Sequence, residues 1–131
     1  MIIALHRRQF MLGAAAVASL GACASTEIRS KTMYGLIGKF TSTDGDRDRL
    51  SAILLKGLRD MPGCLSYIVA NDPADANALW ITEVWDNADS HKNSLTLPSV
   101  QAAIQEGRPL IAGMEQIAQT APIGGHGLTT A

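Results

Sequence analysis

Residues 80–97 read WITEVWDNADSHKNSLTL, and the chain is organised around them. Alternation places Trp80, Thr82 and Val84 on one face of a strand and Leu79, Ile81, Glu83 and Trp85 on the other. The strand turns through Asp86 and Asn87 into a short helical run that starts near Asp89 and carries His91 on its first turn. An indole, a carboxylate and an imidazole therefore converge at one strand-to-helix corner, and no other stretch gathers chemistry as densely.

Upstream of this corner lies a second strand, Cys64 to Asn71, in which Leu65, Tyr67 and Val69 alternate with Cys64, Ser66, Ile68 and Ala70. Asp72-Pro73-Ala74-Asp75-Ala76-Asn77 makes the polar hairpin connection between the two. Before it, Leu50, Ile53, Leu54, Leu58 and Met61 fall on one helical stripe, predicting an amphipathic helix to about Asp60, stopped by Met61-Pro62-Gly63. A first strand, Tyr34 to Phe40, carries Gly35 and Gly38, and glycine inside a strand marks a bulge or the close approach of a ligand or backbone. Downstream, Pro98 begins a helix through Val100, Ala103 and Ile104. Gly107-Arg108-Pro109 breaks it, Leu110 to Ala112 adds a turn, and Gln116 to Pro122 forms a last strand.

The order β-α-β-β-α-β specifies an α+β, ferredoxin-like domain, with a four-stranded antiparallel sheet covered by helices on one face. The uncovered face would leave several hundred Å² of apolar surface exposed, so a sheet-to-sheet homodimer is expected. The domain occupies residues 33–122, between a polar tether (24–32) and a loose tail (123–131) holding Gly124-Gly125-His126-Gly127.

The first 23 residues have a different character. Arg7-Arg8 before Phe10 resembles a twin-arginine export signal, and Met11 to Leu20 is an uncharged apolar run too short to span a bilayer. Leu20-Gly21-Ala22-Cys23 resembles a lipobox, in which Cys23 is acylated, while Ala22-Cys23-Ala24 also fits ordinary signal-peptidase cleavage. Export to the periplasm is expected either way, and a lipid anchor at Cys23 is favoured. Cys64 is then left without a partner, as a small hydrophobe. Beyond Cys23 there are nine basic and twelve acidic side chains, a net charge of −3, with no basic stripe to receive nucleic acid.

Glu83-Val84-Trp85 followed by Ser90-His91 and Ser94-Leu95, with Met61-Pro62-Gly63-Cys64 ahead of the second strand, resembles the antibiotic biosynthesis monooxygenase domain and its quinol-monooxygenase-type members. The likeness runs from Met33 to about Ile123. It implies a dimeric α+β barrel and a pocket between sheet and helices in each protomer. It also implies oxygenation of electron-rich aromatics such as hydroquinones, with O₂ as co-substrate and no metal, flavin or haem. This chain departs from the antibiotic-pathway members, which carry asparagine at the position of Ile81 and tyrosine at that of His91. It departs also from the haem-degrading members, whose asparagine and histidine align near Gly38 and Ile104.

The residues permit the same reading. His91 and His126 stand outside any metal-ligand spacing, and no dinucleotide fingerprint or P-loop is present. A phenolate can pass an electron to O₂ if the protein supplies a base, dipoles for the anion and a dry aromatic pocket. His91 is the candidate base and Trp85 the candidate wall. Glu83 orients His91 or the substrate, or pairs across the dimer. Tyr67 and Ser66 point to opposite faces of their strand, so at most one of them lines the pocket; Tyr34 and His126 are weaker candidates. Two other functions use the same residues: a non-catalytic lipoprotein that binds small aromatics, and an isomerase of a small oxo-compound, for which Arg108 and Lys92 are the available cations.

Overall fold

The computed structural model describes residues 32–128. The export signal, Cys23, all of the tether but Thr32, and the last three residues of the tail lie outside them. Strand β1 (Tyr34–Ser42) is followed by helix α1 (Arg47–Gly57), β2 (Cys64–Asn71), β3 (Ala78–Trp85), α2 (Ala88–Ser94), α3 (Pro98–Gly107), a 3₁₀ turn at Arg108–Leu110 and β4 (Ile111–Thr120). The sheet is antiparallel throughout, in the order β2-β3-β1-β4, so the ferredoxin-like α+β expectation holds. The second helical unit is two helices, as the short run near Asp89 and the restart at Pro98 indicate.

Helix α1 forms because Leu50, Ile53 and Leu54 recur at helical spacing and all three are buried. They pack on Leu79 and Ile81 of β3, with Ala103 of α3 and Leu110 completing the core. The helix closes at Gly57, three residues before the expected Asp60. A Cβ at Gly57 would lie 2.5 Å from that of Ala103, so glycine allows the close approach of α1 and α3, and Asp60 has left-handed backbone (φ 51°) that cannot continue a helix.

Strand β4 begins at Ile111, five residues ahead of the expected Gln116, and β1 extends two residues past Phe40. Register breaks on the β1–β4 ladder at Ile37/Gly38 and Thr41/Ser42 disturb the alternation by which a strand is recognised. β4 is also largely exposed, Met114 and Ile117 included. Helix α3 packs chiefly on α1 and the following 3₁₀ turn rather than on the sheet. Phe40 of β1 and Ile111 of β4 pack against the core, while Leu36, Gly38 and Met114 border a cavity between sheet and helices.

On the outer face, Trp80 donates its indole N–H to Asp72 at 3.1 Å, while Lys39 lies 3.0 Å from the same carboxylate and 5.3 Å from the Trp80 ring centre. This knot ties β1 to the β2–β3 hairpin.

Candidate active site

The site is assembled by the strand-to-helix corner. Glu83 and Trp85, two apart on β3, share a face, and the buried Trp85 donates its Nε1–H to Glu83 Oε2 at 2.9 Å. Asn87 then caps α2, its side-chain oxygen accepting the Ser90 N–H at 2.9 Å. That cap starts the helix so that His91 closes its first turn. The imidazole meets the Trp85 ring edge-on, with centroids 5.4 Å apart, and its Nε2 lies 3.8 Å from Glu83 Oε2. One carboxylate oxygen therefore serves both rings, and the Glu83 side chain is only 16% exposed.

The corner is braced from behind by the Met61-Pro62-Gly63-Cys64 turn. Gly63 has φ +81°, and a Cβ there would lie 2.4 Å from Ser90 Oγ and 2.7 Å from Asp86 Oδ1. Its carbonyl accepts the Asp86 N–H at 2.9 Å. The two motifs on which the family resemblance rests are thus one contact in space.

These side chains face a cavity of about 680 Å³ between sheet and helices. Leu36 and Phe40 from β1, Leu54 from α1, Ile104 from α3 and Met114 from β4 supply apolar walls, with Glu83, His91 and Ser94 the polar groups at one end. Tyr67 also lines it. Burial, reinforced by the charges of Glu83 and Cys64, pushes the Tyr67 phenol well above its usual range, so it is a hydrogen-bond donor rather than a base. Ser66 is not on this wall. It is paired with Val84, on the face opposite Tyr67, and lines a shallow depression beside Asp60 and Cys64. Burial likewise raises the Cys64 thiol. His126 is exposed in the tail, outside the cavity lining.

Tyr34, the weaker candidate, lies closer to the chemistry than expected: its ring centre is 5.5 Å from that of His91. The register explains this, because Tyr34 is paired directly with Trp85. Within the protomer Glu83 meets Trp85 and His91. Of the two cations available to an isomerase, exposed Arg108 lines the cavity and Lys92 does not. Among the described residues, no group of three His, Cys, Asp or Glu side chains could hold a metal ion.

Comparison with known proteins agrees with this architecture. The family model for antibiotic biosynthesis monooxygenase matches residues 33–106. A provisionally assigned antibiotic biosynthesis monooxygenase from Chloroflexus aurantiacus J-10-fl is 62% identical, with 75% of this chain and 100% of that one covered and a TM-score of 0.72. The fold is shared with a similarly assigned protein from Caulobacter crescentus CB15 (18% identity, 72% and 92% covered, TM-score 0.62). It is shared too with a variant of SnoaB, a cofactor-independent oxygenase from Streptomyces nogalater (14% identity, 72% and 97% covered, TM-score 0.61). No match was found among curated proteins. With most of the folded domain covered by the family model and by a relative of this identity, the chain belongs to the antibiotic biosynthesis monooxygenase family.

Proposed function

We propose that this protein is a cofactor-independent monooxygenase of phenolic or quinol substrates, with His91 as the base. The observation that carries this reading is the meeting of Glu83, Trp85 and His91 at the polar end of an otherwise apolar cavity. The shared fold of a cofactor-independent oxygenase supports it.

In the proposed reaction His91 Nε2 takes the phenolic proton, and Glu83 holds the ring in place and stabilises the imidazolium that results. The phenolate passes one electron to O₂, leaving an aryloxyl radical and superoxide, whose recombination at a ring carbon forms a C–O bond. Heterolysis of the O–O bond, with loss of the ring C–H proton, places one oxygen on the ring and releases the other as water. For a hydroquinone the balance is quinol plus O₂ giving hydroxyquinone plus water. Tyr67 donates a hydrogen bond to the developing oxyanion, and Trp85 forms the wall that excludes water from the radical pair.

Two copies are proposed to pair through the outer sheet face. Ile37, Val84 and exposed Ile68 lie on that side, and the exposed edge strand β4 invites a partner. The exported, Cys23-anchored form remains part of the proposal, tested by the mass of the mature N-terminus.

The test is O₂ uptake by the purified protein with a hydroquinone panel. Turnover is expected, and His91→Ala should lower it by about 10²-fold or more. Unchanged turnover in that variant removes His91 from the mechanism. Quinone binding with no O₂ uptake would instead identify a binding protein.

A further inference from the structure

The cavity is too large and too uniformly apolar for a single ring. Its volume of about 680 Å³ falls in the range that encloses a drug-sized ligand. Its polar groups are divided between two places. Tyr67, Glu83, His91 and Ser94 occupy one end, while Arg108, Glu115 and Gln116 are exposed, Gln116 being the β4 partner of Gly38. The lining between them is supplied by Leu36, Phe40, Leu54, Ile81, Ile104 and Met114.

Gly38 gives this slot its floor. It is paired with Ile81, between the Leu36–Glu83 and Phe40–Leu79 pairs. These levels span about 13 Å of strand. A Cβ on Gly38 would meet only the Glu115 carbonyl oxygen, at 3.4 Å, and no side chain within 4 Å. Its φ lies outside the left-handed region, so the backbone does not demand glycine, which weakens a strand interior. Gly35 and Gly63 differ, since a Cβ on either would collide with neighbouring side chains. At Gly38 the missing side chain leaves cavity. Above it α3 leans chiefly on α1, and the cavity lining runs from Ile104 of that helix to exposed Met114 of β4.

We infer that the substrate is an amphiphile, a phenol or quinol bearing a long apolar tail, with its ring at the Glu83–His91 end and its tail over Gly38 beneath α3. This rests on the assignment of the polar end to the phenolic ring. Gly38 is then the residue that sets the tail length the cavity accepts.

The test is anaerobic equilibrium binding of 2-alkylhydroquinones from methyl to decyl to the full chain, with alkylbenzenes of the same lengths for comparison. Each methylene on the early part of the series should tighten binding about three- to fourfold, and the alkylbenzenes should bind at least tenfold more weakly. Gly38→Val and Gly38→Phe should weaken the long-tailed ligands by tenfold or more and leave methylhydroquinone unchanged. Gly38→Ala, the mildest filling, should give a smaller loss of the same pattern if the bulkier variants fold poorly. A Kd independent of tail length, or equal loss for short and long ligands in every Gly38 variant, overturns the proposal. So does equal binding of the alkylbenzenes. O₂ uptake with methylhydroquinone is read separately: tail-dependent binding without uptake retains the amphiphile site and rejects the oxygenase, and uptake without tail dependence does the reverse.

Discussion

Glu83 Oε2 accepts the Trp85 indole N–H at 2.9 Å and lies 3.8 Å from His91 Nε2, so one oxygen holds the wall and faces the base. The two tasks can be separated by substitution. Glu83→Gln keeps an acceptor for Trp85 and should leave the melting temperature near that of the parent, while turnover with a hydroquinone falls about tenfold or more through loss of the charge beside the imidazole. Glu83→Ala strands a buried N–H and should also cost about 1–3 kcal/mol of stability in denaturant titration. Equal turnover in Gln and parent proteins would limit Glu83 to a structural part.

Tyr67 lines the cavity with its phenol held protonated by burial. Tyr67→Phe removes one donor and little volume. It should lower kcat by roughly 10- to 100-fold if that donor meets a developing oxyanion, with no loss in thermal stability. A change confined to KM would mean that the hydroxyl binds substrate without favouring the transition state.

Gly63 offers a purely structural test. With φ +81° and Ser90 at 2.4 Å from a built Cβ, Gly63→Ala should destabilise by about 1–3 kcal/mol. The melting temperature should fall by roughly 5 °C or more. Ser90→Gly in the same chain should recover the share of the loss due to the Ser90 clash and leave the Asp86 contact and the dihedral part. Full recovery would show that the backbone at residue 63 carries no strain.

Asp72 makes stability depend on acid. The Ala74 amide, then Lys39 and Trp80, hold its carboxyl below the usual carboxylate range. A depressed folded value means that the contribution is complete above the unfolded pKa of about 3.9 and is lost as pH falls through the folded one. Asp72→Asn should therefore flatten the stability profile below about pH 4, as read from denaturant midpoints. It should change the slope little at neutral pH, and an unchanged acid slope would place the acid sensitivity elsewhere.

Cys64 is half-buried, with its thiol pushed up by desolvation. Alkylation at neutral pH should be slower than for a free thiol and should reach the free rate on unfolding. Rapid labelling of the folded chain would mean that the β2 entry opens.

The corner was legible because its signals are local. Alternation from Leu79 to Trp85 needs no partner strand to be seen, and Asn87 is a cap in sequence as in space. Glu83, Trp85, Tyr67 and His91 all reach the cavity as read. Ser66 lies on the face opposite Tyr67, as alternation requires; what residue type does not show is the bulge between Cys64 and Ser66, which pairs Cys64 with Trp85. The start of β4 was hidden for the same reason, its two register breaks depending on β1. Tyr34 was undervalued because its nearness to His91 follows from cross-strand register, which binary patterning does not encode. The pocket between sheet and helices is expected from the family resemblance, but its extent is not written in residue type, because it depends on α3 resting chiefly on α1.

The bond from the Asp86 amide to the Gly63 carbonyl has an evolutionary corollary. It fastens two chain segments more than twenty residues apart at a point where neither can lengthen without displacing His91. Insertions and deletions among homologous chains should therefore avoid both turns. They should collect in the Asp72–Asn77 hairpin connection and beyond Thr120, where added residues would loop out harmlessly into solvent.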